Sequence, residues 1–455
     1  PGKATHGLYK CLDMYDANEF TISTTLGLIA SKGAFSGYTA EINQEEPYKG
    51  QERWRRYFTD GKGWKQAFSE GMKNDPLIYP QPFDLANYQT IPQAFGGNHD
   101  WYIDKDGTRK KKTPNSYPNC FTVRPSLNAY MFGNYKSLGN LYSLKGDANK
   151  AQLYADRAGE LQEQFIRALW HKPSGNENHS FYKKRGTIGD PFFYSRLSGD
   201  NLHTGGVGDP IGLIRETVGY TPWYFNMLPT DESQYDIAWK QLDDEMGFKQ
   251  PFGMSTAEYR HDFFNEMSYG WNGRGWPFQN SVVYKAYANY LRNYKGKRDK
   301  ITKSDRELLY HHMSQYVELH GRRRTIGEWY LPRSGAYRMP GGGEVVQSLP
   351  AMGKGFGDVQ DYFHSTFPDM LIEDLIGFQA DHKDQFTIHP LLPKDAWDYF
   401  YLGDLRYHSH EVDILWRKDW DPKEPGDQGK LIVWVDGRRA GESPSVNLPV
   451  KVHLP

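Results

Sequence analysis

Between residues 125 and 380 the apolar positions recur every three or four residues, the spacing of helices with one buried face. Over Pro125 to Leu144 the stripe runs through Leu127, Tyr130, Met131, Leu138, Leu141 and Tyr142. Gly146-Asp147 interrupts it, and a second stripe through Leu153, Ala158, Leu161, Phe165 and Leu169 carries a helix to about Trp170. So short a connection predicts an antiparallel helical hairpin. Further helices are expected over 232–246, stopped by Gly247, and over 277–294, 303–320 and 365–378. Ser304-x-x-Glu307 reads as the capping box of the 303–320 helix, and Gly321 as its stop. Loops rich in Gly, Pro and aromatics, such as 186–210 and 337–358, separate the helices. Sites concentrate in such loops on a rigid scaffold.

After about residue 385 the period shortens to two. Phe386-Thr387-Ile388-His389 and Val412-Asp413-Ile414-Leu415-Trp416 alternate like strands, and Leu431 to Val435 runs into the hairpin signal Asp436-Gly437. A β-strand appendage over 386–455 is therefore expected, behind a helical region over 1–385. The first 120 residues hold no sustained period. They read as a loop-rich insertion at about 22–120, with short helices near 51–58 and 64–72.

Composition narrows the function classes. The 455 residues include 13 Trp, 32 Tyr and 24 Phe, enough to build a core although only 38% of the chain is hydrophobic. Exposed flat rings also suit the apolar faces of sugars. With 55 basic and 56 acidic residues the net charge is −1, so nothing electrostatic recruits nucleic acid or an anionic membrane surface. No apolar run approaches the roughly 20 residues of a membrane span. Cys11 and Cys120 have no metal-ligand spacing and either pair or stay free. Asn178-His179-Ser180 is a glycosylation sequon. The chain opens Pro1-Gly2-Lys3-Ala4 with neither an initiator Met nor a signal peptide, which predicts a removed leader or a fragment and an extracytoplasmic location. The basic runs Arg109 to Lys112 and Arg322 to Arg324 read as solvated loop and helix-end residues.

There is no GxSxG, P-loop, HExxH, or GxGxxG before a helix. His311 and His312 are adjacent on a helix and point apart, and His408 and His410 lack a third partner, so no metal site is expected. What remains is a set of carboxylates in aromatic, Gly-rich segments. These are Asp16 and Glu19 in Tyr15 to Phe20, Glu216 in Arg215 to Tyr220, Glu258 in Ser255 to Glu258, and Glu328 in Ile326 to Trp329. Glycoside hydrolysis needs two opposed carboxyl groups, one protonated to release the leaving group and one ionised. Aromatic walls stack on sugar and raise the acid's pKa by desolvation. Equally, each glutamate has arginines within reach of an ordinary ion pair.

Several segments resemble those of six-hairpin glycosidases, and they follow the same order. Arg124 to Gly133 is similar to RPTxNxYxYG, and Trp271-Asn272-Gly273-Arg274-Gly275-Trp276-Pro277-Phe278 to WNGPxWPF. Arg215 to Trp223, Tyr362 to Phe367 and Tyr407 to His410 also resemble elements of these enzymes. The nearest branch is the mannosylglycerate hydrolase-like group, related to family 142 β-L-arabinofuranosidases, trehalase and processing α-glucosidase I. The resemblance implies an (α/α)6 toroid, inverting and exo-acting hydrolysis of an oligosaccharide or polysaccharide, and no cofactor. It assigns Glu328 as the general base. Glu19, in a segment resembling D-G-M-E-F-S, becomes the acid, with Asp16 supporting it. Trp271, Asn272, Trp276, Arg124, Glu216, Glu258 and His364 become substrate-binding residues, while Arg215 reads as a clamp between loops.

Ala17 and Asn18 depart from the Gly-Met pair, and about 100 residues separate Glu19 from Arg124, more than in the relatives. On that account a non-catalytic carbohydrate-binding subunit stays open; so does an inverting glycoside phosphorylase, in which phosphate replaces the water, although Glu328 argues against it. Six hairpins also need about twelve helices, more than the periodicity supplies, so the N-terminal part of the toroid is expected to lie on an upstream polypeptide.

Overall fold

In the computed structural model the described residues are 21–22, 29–32, 101–103, 109–111, 121–123, 125–173, 189–194, 196–197, 215–260, 264, 266, 273–321, 330–333, 366–381, 384–418 and 429–455. The chain divides into two compact units. One comprises Pro1–Ala286 with Glu328–Asp358, the other Tyr287–Gly327 with Val359–Pro455. The short helices expected near 51–58 and 64–72, both cysteines and the sequon lie outside the described residues.

The first unit is built on the expected hairpin, α1 (Pro125–Leu144) and α2 (Ala148–Leu169). Asp147 caps α2 by accepting the Lys150 N–H at 3.1 Å, satisfying one of the donors that a helix start leaves unpaired. Tyr154, Ala158, Leu161, Phe165 and Leu169 form the buried face of α2. Leu153, expected on that face, is 45% exposed; the apolar stripe starts one position later, where Tyr142 of α1 stacks on Tyr154 at 5.7 Å.

Short strands thread this unit. β1 (Thr21–Ile22), β2 (Ile29–Lys32), β5 (Phe121–Val123) and β8 (Arg196–Leu197) form an antiparallel sheet in the order β1-β2-β5-β8. β3 (Trp101–Ile103) pairs with β4 (Arg109–Lys111), and β6 (Trp170–His171) with β7 (Phe192–Phe193). A single 3-10 turn (Thr217–Tyr220) leads into α3 (Thr221–Tyr224). The helix expected over 232–246 is a 3-10 helix confined to Asp236–Leu242. Its tighter winding turns Trp239 inward onto Tyr220, ring centroids 4.4 Å apart. The Gln241 carbonyl is then taken by Phe248 N–H rather than by a further helical turn. Trp223 and Phe193 complete a cluster of aromatic rings, all buried. Much of the aromatic excess is core material here.

α4 (Pro277–Asn293) begins in the first unit and ends in the second. The second unit adds α5 (Lys303–Gly321) and α6 (Thr366–Met370), which continues as a π-helical turn over Leu371–Ile376. The capping box of α5 is Thr302 with Asp305, not Ser304 with Glu307. Asp305 N–H donates to Thr302 Oγ1 at 3.2 Å, and Thr302 N–H to Asp305 Oδ2 at 2.8 Å. Glu307 instead faces Lys303 one turn back at 3.5 Å, an exposed pair of little energetic weight. Two antiparallel sheets follow, β11 (Phe378–Ala380), β12 (Gln385–Ile388) and β17 (Val450–His453), then β13 (Tyr399–Tyr407), β14 (His410–Arg417), β15 (Leu431–Val435) and β16 (Arg438–Ser443). Alternation buries Val412, Ile414 and Trp416 of β14 with Phe386, Ile388, Val433 and Val452 in one core. Asp436 and Gly437 turn the β15–β16 hairpin at φ 50 and 72, the geometry their sequence signals.

Candidate active site

Four stretches of the first unit lie edge to edge in a narrow, irregular ladder, and each continues a motif that carries chemistry in the sequence. Arg215 to Thr217 pairs with Thr256 to Glu258 through an antiparallel bridge at Glu216 and Ala257. Thr217 N–H reaches Thr256 O at 2.9 Å, and Glu258 N–H reaches Arg215 O at 3.2 Å. Thr256 in turn donates its N–H to Arg274 O at 3.0 Å and its hydroxyl to the same oxygen at 2.7 Å. Next to Arg274, Gly275 exchanges both backbone hydrogen bonds with Tyr330, at 3.0 and 2.9 Å. The ladder therefore joins the Glu216, Glu258 and Trp276 segments and Tyr330 in that order across about 115 residues of sequence, between positions 215 and 330.

Side chains tie its first half. The Glu258 carboxylate is fully buried; Oε1 accepts Arg215 N–H at 3.0 Å and Oε2 accepts Arg215 Nη1 at 2.9 Å. Arg260 Nε stands 2.8 Å from the same Oε2, a charge contact rather than an aligned hydrogen bond. Arg260 also donates to Gln241 Oε1 at 3.1 Å and pairs with Asp244. Gln241 donates to Asp190 Oδ2 at 3.3 Å, and the Asp190 carbonyl accepts Arg215 Nη2 at 2.7 Å, which closes the circuit. Arg215 is 1% exposed and clamps three segments, the structural role its sequence context suggested. A sugar hydroxyl approaching Glu258 would compete with two guanidinium groups for oxygens already engaged. Glu216 is also buried, at 5% exposure, as is Trp276 at 6%.

The second half is held by Arg274 and the residues after Tyr330. Arg274, where the relatives' pattern has proline, is fully buried and donates Nε to the Glu266 carbonyl at 3.0 Å. The Glu266 carboxylate accepts Arg333 N–H at 2.7 Å. Arg333 donates to Gln250 at 2.6 Å and lies 3.5 Å over the Tyr259 ring. Gln250 belongs to β9 (Lys249–Gln250), the partner of β10 (Gly253–Met254). Sequence reading missed Tyr330, Asn280 and Arg260, although Tyr330 directly follows the Glu328-Trp329 pair.

Of the expected site residues, Asp16, Glu19, Arg124, Trp271, Asn272, Glu328 and His364 lie outside the described residues. β1 starts two residues after Glu19, and β5 ends one residue before Arg124; both belong to the sheet ordered β1-β2-β5-β8. The sheet thus spans the long sequence gap between these two motifs. As for metals, among the described residues Asp404, Glu411 and Asp413 offer carboxylate oxygens within 4.8 Å of one another. They sit on the β13–β14 hairpin, where Asp413 already accepts the Tyr401 hydroxyl at 3.0 Å and Asp404 N–H at 3.1 Å.

Residues 3–365 match the mannosylglycerate hydrolase MGH1-like glycoside hydrolase domain. The chain belongs to that family. Membership of a glycoside hydrolase domain family agrees with the six-hairpin resemblance of its motifs. A solved structure described as a sialidase is 30% identical, with a TM-score of 0.57, over 77% of this chain and 27% of its own. The GH63 mannosylglycerate hydrolase from Thermus thermophilus, solved with glucose, is 17% identical over 51% of this chain and 44% of its own, with a TM-score of 0.35. A bacterial glucoamylase complexed with acarbose is 15% identical over 50% of this chain and 32% of its own, at 0.33. The MGH1-like chain thus spans less than half the length of each of these structures.

Proposed function

We propose that the MGH1-like chain is an inverting, exo-acting glycoside hydrolase that removes a terminal sugar from an oligosaccharide or polysaccharide, on an (α/α)6 toroid over 1–385 followed by a β appendage. Glu328 is the general base on the attacking water, Glu19 the general acid on the leaving-group oxygen, and Asp16 its supporting carboxylate. Trp271 and Trp276 face the sugar rings, while Asn272, Arg124, Glu216 and His364 bind hydroxyls. Glu258 acts indirectly, by holding Arg215 and so the Glu216 segment. The single observation that supports this reading is the backbone ladder from Glu216 to Tyr330, which gathers motif segments far apart in sequence. An inverting pair would stand about 6.5–9.5 Å apart, leaving room for the water.

The test is turnover of a panel of para-nitrophenyl glycosides and plant or algal oligosaccharides by the chain and by Glu328→Gln. Collapse of kcat with sugar binding retained is expected. Full activity in Glu328→Gln overturns the base, and proton NMR showing a first-formed sugar of retained configuration overturns inversion. Cleavage that requires phosphate identifies a phosphorylase, and glycan binding without turnover identifies a binding subunit.

A further inference from the structure

Tyr330 is separated from Glu328 by one residue, and two steps of extended chain reach at most about 7 Å. Whatever fixes Tyr330 therefore limits where the Glu328 backbone can stand. The Tyr330 ring lies in a slot formed by two glycines from different motifs. A Cβ on Gly275 would come within 2.0 Å of its Cζ, and one on Gly253 within 2.7 Å of its Cε2. Its hydroxyl donates to the Met254 carbonyl at 2.7 Å and accepts from the Asn280 amide. Tyr330, Met254 and Asn280 are all buried, at 1% exposure or less. The next residues are pinned too, since Phe252 N–H donates to Pro332 O at 2.9 Å and Arg333 is held by Glu266, Gln250 and Tyr259.

A tyrosine that merely fills core needs one partner for its hydroxyl. This one has two, on separate segments, and two glycines are spent on admitting its ring. We infer that Tyr330 is a positioning residue for the reaction: docked in the Gly253–Gly275 slot and bridged to Gly275, it fixes the point from which the chain leads back to Glu328. The inference rests on Glu328 being the base. The Tyr330 hydroxyl is engaged by Met254 and Asn280 of the protein itself. It acts by keeping the base on line, where a displacement of about 1 Å costs on the order of a hundredfold in rate.

The experiment compares Tyr330→Phe, Asn280→Ala and Glu328→Gln with the unsubstituted chain. Kinetics use a para-nitrophenyl glycoside that the unsubstituted chain turns over, and amide hydrogen exchange is followed in the peptide spanning 324–329. Tyr330→Phe keeps the ring in its slot but loses both hydroxyl contacts. It should lower kcat roughly ten- to a hundredfold, leave KM within about twofold, and move the acidic limb of the kcat–pH profile. Exchange in 324–329 should quicken while exchange in Pro125–Leu144 stays unchanged. Asn280→Ala, which leaves the Met254 contact, should fall between.

Unchanged kcat and unchanged exchange in Tyr330→Phe, with Glu328→Gln inactive, overturn the positioning role alone. Full activity in Glu328→Gln overturns the base reading and the inference with it. A Tyr330→Phe loss that tracks only the folded fraction, with the pH profile unmoved, reduces Tyr330 to a structural residue. If no glycoside is turned over, the exchange measurement decides, and unaltered exchange overturns the inference.

Discussion

Glu258 meets Arg215 twice, accepting its backbone N–H at 3.0 Å and its Nη1 at 2.9 Å, where neither side chain is more than 1% exposed. Arg260 adds a second guanidinium at 2.8 Å. A buried ion pair adds little net stability, but removing one partner leaves uncompensated charge in a low-dielectric interior. Glu258→Gln strands two arginines and is expected to cost about 3–5 kcal/mol. The double variant Glu258→Gln, Arg215→Met should recover part of that loss. Denaturant unfolding of the two variants measures both effects, and a single-variant cost under about 1 kcal/mol would contradict the clamp.

The buried Arg292 predicts a pH dependence in the second unit. It donates to Asp374 Oδ1 at 3.0 Å, to Asp374 O at 2.7 Å and to His389 O at 2.8 Å. Arg306 reaches Pro390 O beside it. Burial, with the nearby charges of Arg292 and Arg306, lowers the His389 imidazole from 6.5 to about 4. The native state therefore refuses a proton that the unfolded chain accepts below pH 6.5. Stability is full above that value, falls as pH drops from 6.5 toward 4, and levels off below, for a total of up to about 3 kcal/mol. His389→Gln should flatten this slope without altering stability at pH 8; an unchanged slope refutes the assignment.

Helices were legible wherever period and punctuation agreed. Pro125–Leu144, Ala148–Leu169, Pro277–Asn293 and Lys303–Gly321 fall within a residue or two of their expected limits, because local periodicity and caps carry that information. The 232–246 stretch shrank to a 3-10 helix because the fit of Trp239 against Tyr220 overrode its helical pattern. The site was legible as motifs and not as geometry. Nothing in one sequence says that Thr256 bonds Arg274, or that Gly275 is glycine because Tyr330 lies against it. The aromatic count is partly core: Tyr220 and Trp223, in one of the segments that resemble the glycosidases, are fully buried.

The capping box of α5 supplies an acid-sensitive contact. Burial alone would push the Asp305 carboxyl up. The hydrogen bonds from Lys297 Nζ, Thr302 Oγ1 and Thr302 N–H, with the lysine's charge, hold it below the ordinary 3.8 instead. Its stabilisation is thus complete above the unfolded value and is lost as pH falls through 3.8 and the lower native value. Asp305→Asn should cost about 1 kcal/mol at pH 7, in the range of a lost helix cap. That difference should shrink as pH falls below 3.8 and be smaller at pH 2 than at pH 7. Thermal unfolding at both pH values tests it, and a gap undiminished in acid would refute the ionic contribution.

Gly377 ends the π-helical turn Leu371–Ile376 at φ 89, a left-handed conformation that side-chain-bearing residues seldom adopt. The position is closed sterically as well, since a Cβ would meet the His389 carbonyl carbon at 2.2 Å and its oxygen at 2.3 Å. The backbone there is committed: Gly377 N–H donates to Ile372 O at 2.9 Å, and its carbonyl accepts His389 N–H at 2.8 Å. His389 O in turn receives Arg292, so displacing it would loosen the Arg292–Asp374 pair. Gly377→Ala should therefore cost more than the roughly 1–2 kcal/mol of left-handed strain alone. It should also reduce the stability lost between pH 6.5 and 4, because the loosened site exposes His389. Equal stability in Gly377→Ala, with the pH slope intact, would show that the turn can be rebuilt without the contact between Gly377 and His389.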